Sequence, residues 1–315
     1  MKQVLFAGDR LYMKFGGLDY FTRRLGEAGY GVISTQGSSR DEVVTAAAGA
    51  SAIVVIAHEV TAELLDAAPD CEFVMTLSVG YDCVDVAAAS TRGIPVSTRP
   101  TYCSEHVANH AITLLPSVPR KLHLTTPAVK NGTWTYAYAK PIYRFRGRRL
   151  GIVGLGKIGR AIVPKAKGLG LEVSAYDPYL ADDMFALSGV ERCYEFTELL
   201  ETSDYLSIHA PLNGETRHMI DAEALSLMRR EAIIVNTARG SIIDQDALVE
   251  ALRAERIAGA GVDVLEREPP EASQPILSAE NALVTPHIAW YSEESFQQNK
   301  ELGMDELIRV LGDGR

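Results

Sequence analysis

The sequence predicts an α/β protein that consists of two doubly wound parallel-sheet domains. Short apolar runs alternate with helical patterns through roughly the first 100 residues, and the same alternation starts again near residue 150. The chain has 315 residues, of which 47% are hydrophobic, so two domains of ordinary size can each bury a core. Strand–helix alternation of this kind implies a parallel sheet that helices cover on both faces.

The first series contains predicted strands and helices in alternation. The strands are predicted at Val4–Ala7, Ala52–Ala57, Phe73–Leu77 and Ile94–Val96. The helices between them are predicted at Tyr20–Ala28, Asp41–Ala48, Thr61–Ala67 and Asp85–Thr91. Asp82 and Asp85 are more typical of residues that cap the last of these helices than of catalytic residues.

The second series repeats this pattern. Its strands are predicted at Leu150–Val153, Leu171–Tyr176, Tyr205–His209, Ala232–Asn236, Ala258–Val264 and Ala282–Val284. Its helices are predicted at Ile158–Leu169, Thr197–Thr202, Asp221–Met228 and Asp244–Ala254. Asp244 is predicted to be the N-cap of the last helix, because an aspartate there can accept hydrogen bonds from the first free N–H groups.

A long connecting helix is predicted between the two series, at Cys103–Leu124. It contains Pro116 and Pro119. An interior proline removes a backbone hydrogen bond and clashes with the preceding turn, so we expect this helix to break or bend near Leu115. Pro164 raises the same expectation for a helix of the second series.

The end of the chain is predicted to return to the first domain through a helix at Glu293–Leu311. We therefore expect a first domain of residues 1–99 plus 286–315 and a second domain of residues 100–285. The chain would cross between the domains near Thr98–Pro100 and near Pro286. Two crossings of this kind predict a cleft with two hinges.

Composition disfavours several classes of protein. The formal net charge of −10 disfavours a nucleic-acid surface, and the one basic cluster, 144–149, is interpreted as a solvated linker. No apolar run approaches the roughly 20 residues of a membrane span, and the N-terminal apolar stretch is too short for a signal peptide. Four scattered cysteines favour reduced thiols, and the histidines form no metal-binding motif. We therefore expect a soluble, cytoplasmic protein without a metal.

A glycine motif follows the apolar run Leu150–Val153. In Gly154-Leu-Gly156-Lys-Ile-Gly159, the glycines permit a tight turn, close approach of a pyrophosphate and close packing of helix on strand. The predicted cofactor loop comprises Gly154, Leu155, Gly156, Lys157, Ile158 and Gly159. Asp177 would accept hydrogen bonds from the adenosine ribose and repel a 2′-phosphate, and no Arg or Lys follows it closely, which favours NAD over NADP. A plain strand–helix turn and a solvated loop aspartate are the alternatives.

An arginine, an acid and a histidine follow late in the chain. Arg239 lies in Asn-Thr-Ala-Arg-Gly, and its guanidinium can hold a carboxylate by two hydrogen bonds. His287 lies in Thr-Pro-His-Ile-Ala-Trp and, paired with a carboxylate, can transfer a proton near neutral pH. Glu268 is the favoured partner, and its alternative is Glu266 or a plain loop carboxylate. A surface ion pair is the alternative for Arg239, and a structural role is the alternative for His287.

The ordered motifs are specific as a set. The matching stretches are Gly80–Asp85, Gly154–Gly159, His209–Leu212, Val235–Gly240, Gly261–Pro269 and Pro286–Trp290. By these stretches the chain resembles the D-isomer-specific 2-hydroxyacid dehydrogenases over essentially its full length. Within that family, Tyr176–Leu180 and His287–Glu293 resemble most the C-terminal binding protein branch, which includes transcriptional co-repressors.

The resemblance implies a fold and a set of site residues. It implies a Rossmann nucleotide-binding domain inserted in a flavodoxin-like substrate domain, and a homodimer formed through the nucleotide domain. Arg239 would bind the substrate carboxylate, and His287 would donate the proton while Glu268 orients its ring and raises its pKa. The implied substrate-binding residues are Ser78, Val79, Gly80, Arg239 and Trp290, although a core role for Trp290 is equally open. The implied cofactor contacts beyond the glycine loop are Asp177, His209, Ala210, Pro211, Thr216, Thr237, Ala238, Arg239, Asp263 and His287.

The predicted function is NAD-dependent interconversion of a small 2-oxo acid, such as glyoxylate or hydroxypyruvate, and its D-2-hydroxy acid. A non-enzymatic, NAD-responsive co-regulator is the alternative from another class. A phosphonate or phosphorylated 2-oxo acid is the alternative substrate if Arg99 faces the cleft, but a solvent-facing Arg99 is favoured. A purely structural role for Asp263 also stays open. Pocket size depends on Tyr12–Gly17, on the loop Ser78–Gly80 and on Trp290.

Overall fold

The computed structural model describes residues 1–8, 17–35 and 38–313. Of the segment Tyr12–Gly17, which was expected to help shape the pocket, only Gly17 lies within the described residues. The chain forms two compact units, the first comprising Met1–Cys103 with Ser292–Arg315 and the second Ser104–Tyr291. These bounds lie a few residues C-terminal to those expected from the sequence.

The first unit is built on a five-stranded parallel sheet with the strand order β2-β1-β3-β4-β5. Its strands are β1 (Gln3–Phe6), β2 (Gly31–Ser34), β3 (Ala50–Val55), β4 (Phe73–Thr76) and β5 (Val96–Ser97). Its helices are Asp19–Glu27, Arg40–Ala47, Ala62–Asp66, Val86–Thr91 and Glu293–Asp313. This strand order is that of the flavodoxin-like folds, as the resemblance implied.

The second unit is built on a seven-stranded parallel sheet with the strand order β12-β11-β10-β9-β6-β7-β8. Its strands are β6 (Arg149–Val153), β7 (Glu172–Tyr176), β8 (Glu191–Arg192), β9 (Tyr205–Ile208), β10 (Ile233–Asn236), β11 (Gly259–Val262) and β12 (Ala282–Val284). Its α-helices are Ser104–Ser117, Leu122–Lys130, Lys157–Gly168, Asp182–Ser188, Phe196–Thr202, Ala222–Leu227 and Gln245–Arg253, and 3₁₀ turns lie at Ala137–Ala139, Gly240–Ile242 and Pro275–Ser278. The order reverses at β6, as in dinucleotide-binding Rossmann sheets.

Alternate residues of each buried strand pack on opposite faces of the sheet. In β3, Ile53 and Val55 join the core on one face, whereas Ala52 and Val54 join the core on the other. This arrangement explains why the strands are apolar throughout instead of alternating with polar residues. It confirms the predicted fold class of two parallel-sheet α/β domains.

Several elements were missed or differently placed by the sequence analysis. The sequence did not predict β2, the short strand β8 or the helix Asp182–Ser188, and β5 lies slightly C-terminal to Ile94–Val96. β2 is an edge strand with no fully buried residue. It therefore lacks the continuous apolar run that identifies β3.

The connecting helix breaks close to the predicted position. One helix ends at Ser117 and another begins at Leu122, and Lys121 between them adopts a left-handed conformation with φ = 57°. Pro116 lies in the last turn of the first helix, and Pro119 lies in the break. Pro164, in contrast, is accommodated within the continuous helix Lys157–Gly168.

The capping predictions are confirmed at two helices. The Asp85 carboxylate accepts the N–H of Ala88 at 2.9 Å, and the Asp244 carboxylate accepts the N–H of Ala247 at 3.0 Å. Across residues 1–8, 17–35 and 38–313, no helix has both the length and the apolar character that a membrane crossing requires.

The helix Lys157–Gly168 packs closely on β6 through Gly159. A Cβ atom built on Gly159 would lie 2.3 Å from the carbonyl oxygen of Gly154. A methyl group at this position would therefore push the helix away from the strand, and with it the loop that joins the two elements.

We predict opposite effects for two alanine substitutions in this helix. Gly159→Ala should lower the free energy of unfolding by about 1–3 kcal/mol, because the helix and strand must separate. Gly168→Ala is the matched control, because a Cβ there meets no atom of the described part of the chain within 4 Å. It should leave stability unchanged or raise it by up to about 1 kcal/mol, since alanine favours a helix. Urea unfolding monitored by circular dichroism measures both values, and equal stability of the two variants would contradict the packing.

Candidate active site

The sequence-predicted residues of the second unit lie at one edge of its sheet. Because all strands are parallel, the segments that follow them emerge at the same carboxyl edge, where ligands bind in folds of this kind. These segments are Gly154–Gly159 after β6, Asp177 after β7, His209–Pro211 after β9, Thr237–Arg239 after β10, Asp263 after β11 and Thr285–His287 after β12.

The glycine loop lies directly against the end of β9. Gly154 has φ = +86°, and a Cβ built on it would lie 2.8 Å from the backbone nitrogen of Ala210. The carbonyl of Val153 accepts the N–H of His209 at 2.7 Å. A side chain at position 154 would therefore force the two loops apart.

The start of the helix Lys157–Gly168 fits a pyrophosphate. Gly156 is its N-cap residue and has no side chain to accept from the first N–H groups, and a Cβ built on it would meet none of the described atoms within 4 Å. The first N–H groups of a helix lack intrahelical acceptors and carry partial positive charge. Lys157 and Ile158 form the first turn here, so their N–H groups can receive an anion.

Asp177 is linked to the glycine loop. Its Oδ2 accepts the N–H of Leu155 at 2.9 Å, and its Oδ1 accepts the N–H of Tyr179 at 3.1 Å. The half-buried carboxylate retains further lone pairs for hydroxyl donors. This arrangement fits an adenosine ribose.

His209 is a neutral ring at the end of β9. Burial lowers the pKa of His209 to about 3, and its Nε2 lies 2.8 Å from the hydroxyl of Ser207. The neighbouring loop is stabilised by Thr216, whose hydroxyl donates to the carbonyl of Pro211 at 2.6 Å. The predicted cofactor residues 209–211 and Thr216 therefore belong to one ordered segment.

The segment after β10 is held by Asn236, which the sequence analysis did not select. Its Nδ2 donates to the carbonyl of Arg239 at 2.9 Å, and its Oδ1 accepts the N–H of Ala238 at 3.0 Å. Nη1 of Arg239 donates to the carbonyl of Ala238 at 2.8 Å. The hydroxyl of Thr237 is buried and has no hydrogen-bond partner among the described residues, so it is a polar atom that a bound cofactor can satisfy.

Glu268 and His287 form a hydrogen-bonded pair. Oε2 of Glu268 lies 2.6 Å from Nδ1 of His287, and its Oε1 accepts the N–H of Leu265 at 2.9 Å. Burial acts to raise the pKa of Glu268, but the hydrogen bond and charge of His287, the Leu265 N–H and the positive charge of Arg239 together lower it. Glu268 is therefore ionised at neutral pH, and Arg239 lies within electrostatic reach of the pair.

Glu266, the alternative partner, interacts elsewhere. Its Oε1 lies 2.7 Å from Nε2 of His218 and 3.3 Å from the backbone nitrogen of Gln245. The structure therefore brings Glu268, and not Glu266, to His287. The spacing of the two glutamates alone did not distinguish them.

Asp263 fixes the turn that carries His287. Its fully buried carboxylate accepts the Thr285 hydroxyl at 2.5 Å, the N–H of Ile288 at 3.0 Å and the N–H of Ala289 at 2.8 Å. Its backbone carbonyl accepts the N–H of His287 at 2.8 Å. His287 has φ = +53°, an unfavourable conformation for a residue with a side chain, so the turn depends on these hydrogen bonds.

Two more residues complete this turn. His110, on the helix Ser104–Ser117, places Nε2 at 3.0 Å from the Thr285 hydroxyl and 3.5 Å from Oδ1 of Asp263. No motif identified His110, because its role appears only when the helix packs beside β11. Nε1 of Trp290 donates to the carbonyl of His287 at 2.9 Å, so Trp290 also stabilises the turn.

The predicted substrate loop lies after β4 in the first unit. The Ser78 hydroxyl donates to the carbonyl of Gly80 at 2.7 Å, and the carbonyl of Ser78 accepts the N–H of Arg99 at 2.8 Å. Nδ2 of Asn299 donates to the carbonyl of Leu77 at 2.8 Å. The role of Ser78, Val79 and Gly80 in binding a carboxylate stays a prediction.

The expectation that Arg99 faces solvent is wrong. Arg99 is 6% exposed, and its guanidinium forms an ion pair with Glu306 and donates to the Ser97 hydroxyl at 2.6 Å. It also donates to the carbonyl of Leu302 at 3.2 Å. The helix Glu293–Asp313 supplies this carboxylate, a long-range contact that the local sequence does not reveal.

Comparison with known proteins agrees with this geometry. The model of the D-isomer specific 2-hydroxyacid dehydrogenase NAD-binding domain matches residues 112–289. The chain belongs to the D-isomer-specific 2-hydroxyacid dehydrogenases. It is accordingly an oxidoreductase with a nicotinamide cofactor that acts on 2-oxo and 2-hydroxy acids.

Individual relatives cover most of the chain. A glyoxylate reductase of Korarchaeum cryptofilum is 40% identical over 81% of this chain and 78% of its own. An (S)-sulfolactate dehydrogenase of Chromohalobacter salexigens is 36% identical over 87% of this chain and 88% of its own. The structure of a D-lactate dehydrogenase from Aquifex aeolicus, complexed with NAD and lactic acid, superposes with a TM-score of 0.86 at 26% identity and covers 99% of this chain and 96% of that one. The finer resemblance to the C-terminal binding protein branch stays a prediction.

We predict that Asp263→Asn disrupts the His287 turn. An amide has one acceptor oxygen, and its NH₂ group would face a backbone N–H, so the free energy of unfolding should fall by about 2–3 kcal/mol. Asp246→Asn is the control, because Asp246 is an exposed residue in the first turn of the helix Gln245–Arg253. The control should change stability by no more than about 0.5 kcal/mol. Thermal unfolding of both variants measures the difference, and similar stability losses would contradict the assigned role.

Proposed function

We propose that the protein reduces a small 2-oxo acid, such as glyoxylate or hydroxypyruvate, with NADH and forms the D-2-hydroxy acid. The hydrogen-bonded pair of Glu268 and His287 within reach of the Arg239 charge carries this proposal. Such a set supplies a carboxylate-binding cation and a proton donor, which reduction of a 2-oxo acid needs. Similarity to a glyoxylate reductase and a hydroxypyruvate reductase supports the same substrate class.

Arg239 would bind the substrate carboxylate. A guanidinium presents two parallel N–H donors that match the two oxygens of a carboxylate. The Asn236 amide donates a hydrogen bond to the backbone carbonyl of Arg239, which fixes the backbone from which the guanidinium side chain extends. A fixed cation orients the substrate and polarises its 2-oxo group without reorganisation during the reaction.

His287 would donate the proton to the 2-oxo oxygen. Glu268 binds Nδ1, which leaves Nε2 to face the substrate. The ionised carboxylate orients the ring and stabilises the positive charge of the imidazolium from which the proton would leave. In the oxidation direction, the neutral ring would accept the proton from the 2-hydroxyl group.

The cofactor would bind along the carboxyl edge of the second sheet. The nicotinamide ring supplies the hydride when the cofactor is bound. The helix Lys157–Gly168 would hold the pyrophosphate with its first N–H groups. The buried hydroxyl of Thr237 would form a hydrogen bond with the nicotinamide end of the cofactor. Asp177 would bind the adenosine ribose, and its negative charge favours NAD over a cofactor with a 2′-phosphate.

The buried position of Arg99 argues against the alternative substrate class, a phosphonate or phosphorylated 2-oxo acid. A second anionic group on the substrate was inferred only for a cleft-facing Arg99. The Arg99 guanidinium is buried and is neutralised by Glu306. A mono-anionic 2-oxo acid is therefore the favoured substrate.

We predict that His287→Gln lowers kcat for glyoxylate reduction by at least about 100-fold, because glutamine cannot donate the proton that the alkoxide needs. The dissociation constant for NADH should stay within about threefold of the wild-type value, which separates loss of chemistry from loss of binding. Glu268→Gln should also lower kcat, because a neutral amide no longer stabilises the positive charge of the ring.

Absorbance at 340 nm against a panel of 2-oxo acids measures these rates. His218→Gln is the matched control, since His218 pairs with Glu266 and not with Glu268. Unchanged turnover in His287→Gln would exclude the proposed chemistry. Absence of turnover on every acid in the wild-type protein, with NADH binding retained, would favour the co-regulator alternative instead.

We predict that Asp177→Ser reduces the preference for NADH over NADPH by about tenfold or more, because a repulsive charge beside the ribose is removed. Asp183→Ser, an exposed aspartate on the next helix, is the control and should leave the preference unchanged. Fluorescence titration with both cofactors gives the ratio of dissociation constants. An unchanged ratio in Asp177→Ser would contradict its assignment to the ribose.

A further inference from the structure

A hydrogen bond joins the two loops on either side of the glycine loop. The hydroxyl of Tyr179 donates to Oε2 of Glu215. Tyr179 follows β7, and Glu215 lies in the segment after β9. Since β7 and β9 flank β6 in the sheet, this bond connects loops on both sides of the strand from which the glycine loop emerges.

The backbone of Glu215 is fixed by its own loop. Oδ1 of Asn213 accepts the N–H of Glu215 at 2.9 Å and the N–H of Thr216 at 3.0 Å. The Thr216 hydroxyl in turn donates to the carbonyl of Pro211. The exposed carboxylate of Glu215 is therefore held from two directions, by its ordered backbone and by the Tyr179 hydroxyl.

Tyr179 also connects Glu215 to Asp177. Oδ1 of Asp177 accepts the backbone N–H of Tyr179 at 3.1 Å, so the two carboxylates lie at opposite ends of one residue. The hydrogen bond to Glu215 and the negative charges of Glu215 and Asp177 raise the pKa of Tyr179. Both carboxylates thus act electrostatically on the same hydroxyl.

We propose that Glu215, held by Tyr179, is a second specificity determinant that excludes a 2′-phosphate and selects NAD. This inference rests on the proposed function, in which Asp177 binds the adenosine ribose. A 2′-phosphate adds nearly two negative charges at neutral pH. A second fixed carboxylate, at the hydroxyl end of Tyr179, would raise the electrostatic cost of that group without contacting NAD itself.

A nearby cation does not cancel this effect. Nη1 of Arg160 donates to the carbonyl of Leu155 at 2.9 Å, so its guanidinium is bound at the glycine loop. Lys157 and Arg217 lie in the neighbouring segments, and among the described residues neither forms an ion pair with Asp177 or Glu215. The predicted selectivity is electrostatic in origin, and salt must therefore weaken it.

The dissociation constants of NADH and NADPH for the full-length protein test this inference. In Glu215→Gln, binding of NADPH should tighten about three- to tenfold at about 0.02 M salt, whereas binding of NADH should change by less than about twofold. At about 0.5 M salt the difference should largely disappear. Tyr179→Phe should give a smaller change in the same direction, because it releases Glu215 without removing its charge.

Glu231→Gln is the matched control, since it removes the same charge from an exposed glutamate before β10, at the opposite edge of the sheet. It should leave both constants unchanged. An unchanged ratio in Glu215→Gln, or an equal change in Glu231→Gln, overturns the inference. If the expected ratio change occurs but no 2-oxo acid is reduced, the inference stands and the proposed function fails.

Discussion

The buried carboxylate of Asp263 makes the hydrogen bonds on which the candidate site depends. The carboxylate accepts hydrogen bonds from the Thr285 hydroxyl and from two backbone N–H groups. The backbone carbonyl of Asp263 accepts the N–H of His287. These bonds hold His287 at a positive φ, a conformation that its side chain disfavours. The histidine ring meets Glu268 only because the turn keeps this shape.

The parallel sheet provides the next level of organisation. Each functional segment follows a strand, and parallel strands bring all these segments to one edge. The glycine loop, Asp177 and the pair of Glu268 and His287 therefore share an edge, although they are spread over more than a hundred positions of the chain. Close contact of Gly154 with Ala210 and of Gly159 with Gly154 fixes the relative positions of the loops at this edge.

The sequence predicted the parts whose signals are local. Apolar runs identified β3 and β10, and the glycine spacing identified the start of the helix Lys157–Gly168. Predictions failed where the deciding contact was distant in the chain. Arg99 is buried because Glu306 lies beside it, and His110 reaches Thr285 only after helix and sheet have packed. Glu268 was favoured over Glu266 from the sequence, and the geometry places Glu268 at His287 and Glu266 at His218.

The proton between Glu268 and His287 offers the most direct test of this account. In the wild-type protein labelled with ¹⁵N-histidine, the Nδ1–H proton of His287 should give a far-downfield NMR resonance, because it is shared with an ionised carboxylate at short distance. We expect Glu268→Gln and Asp263→Asn both to remove or strongly shift this resonance, the first because the charged acceptor is lost and the second because the turn is released. A resonance that persists unchanged in Asp263→Asn would contradict the central role of the buried carboxylate.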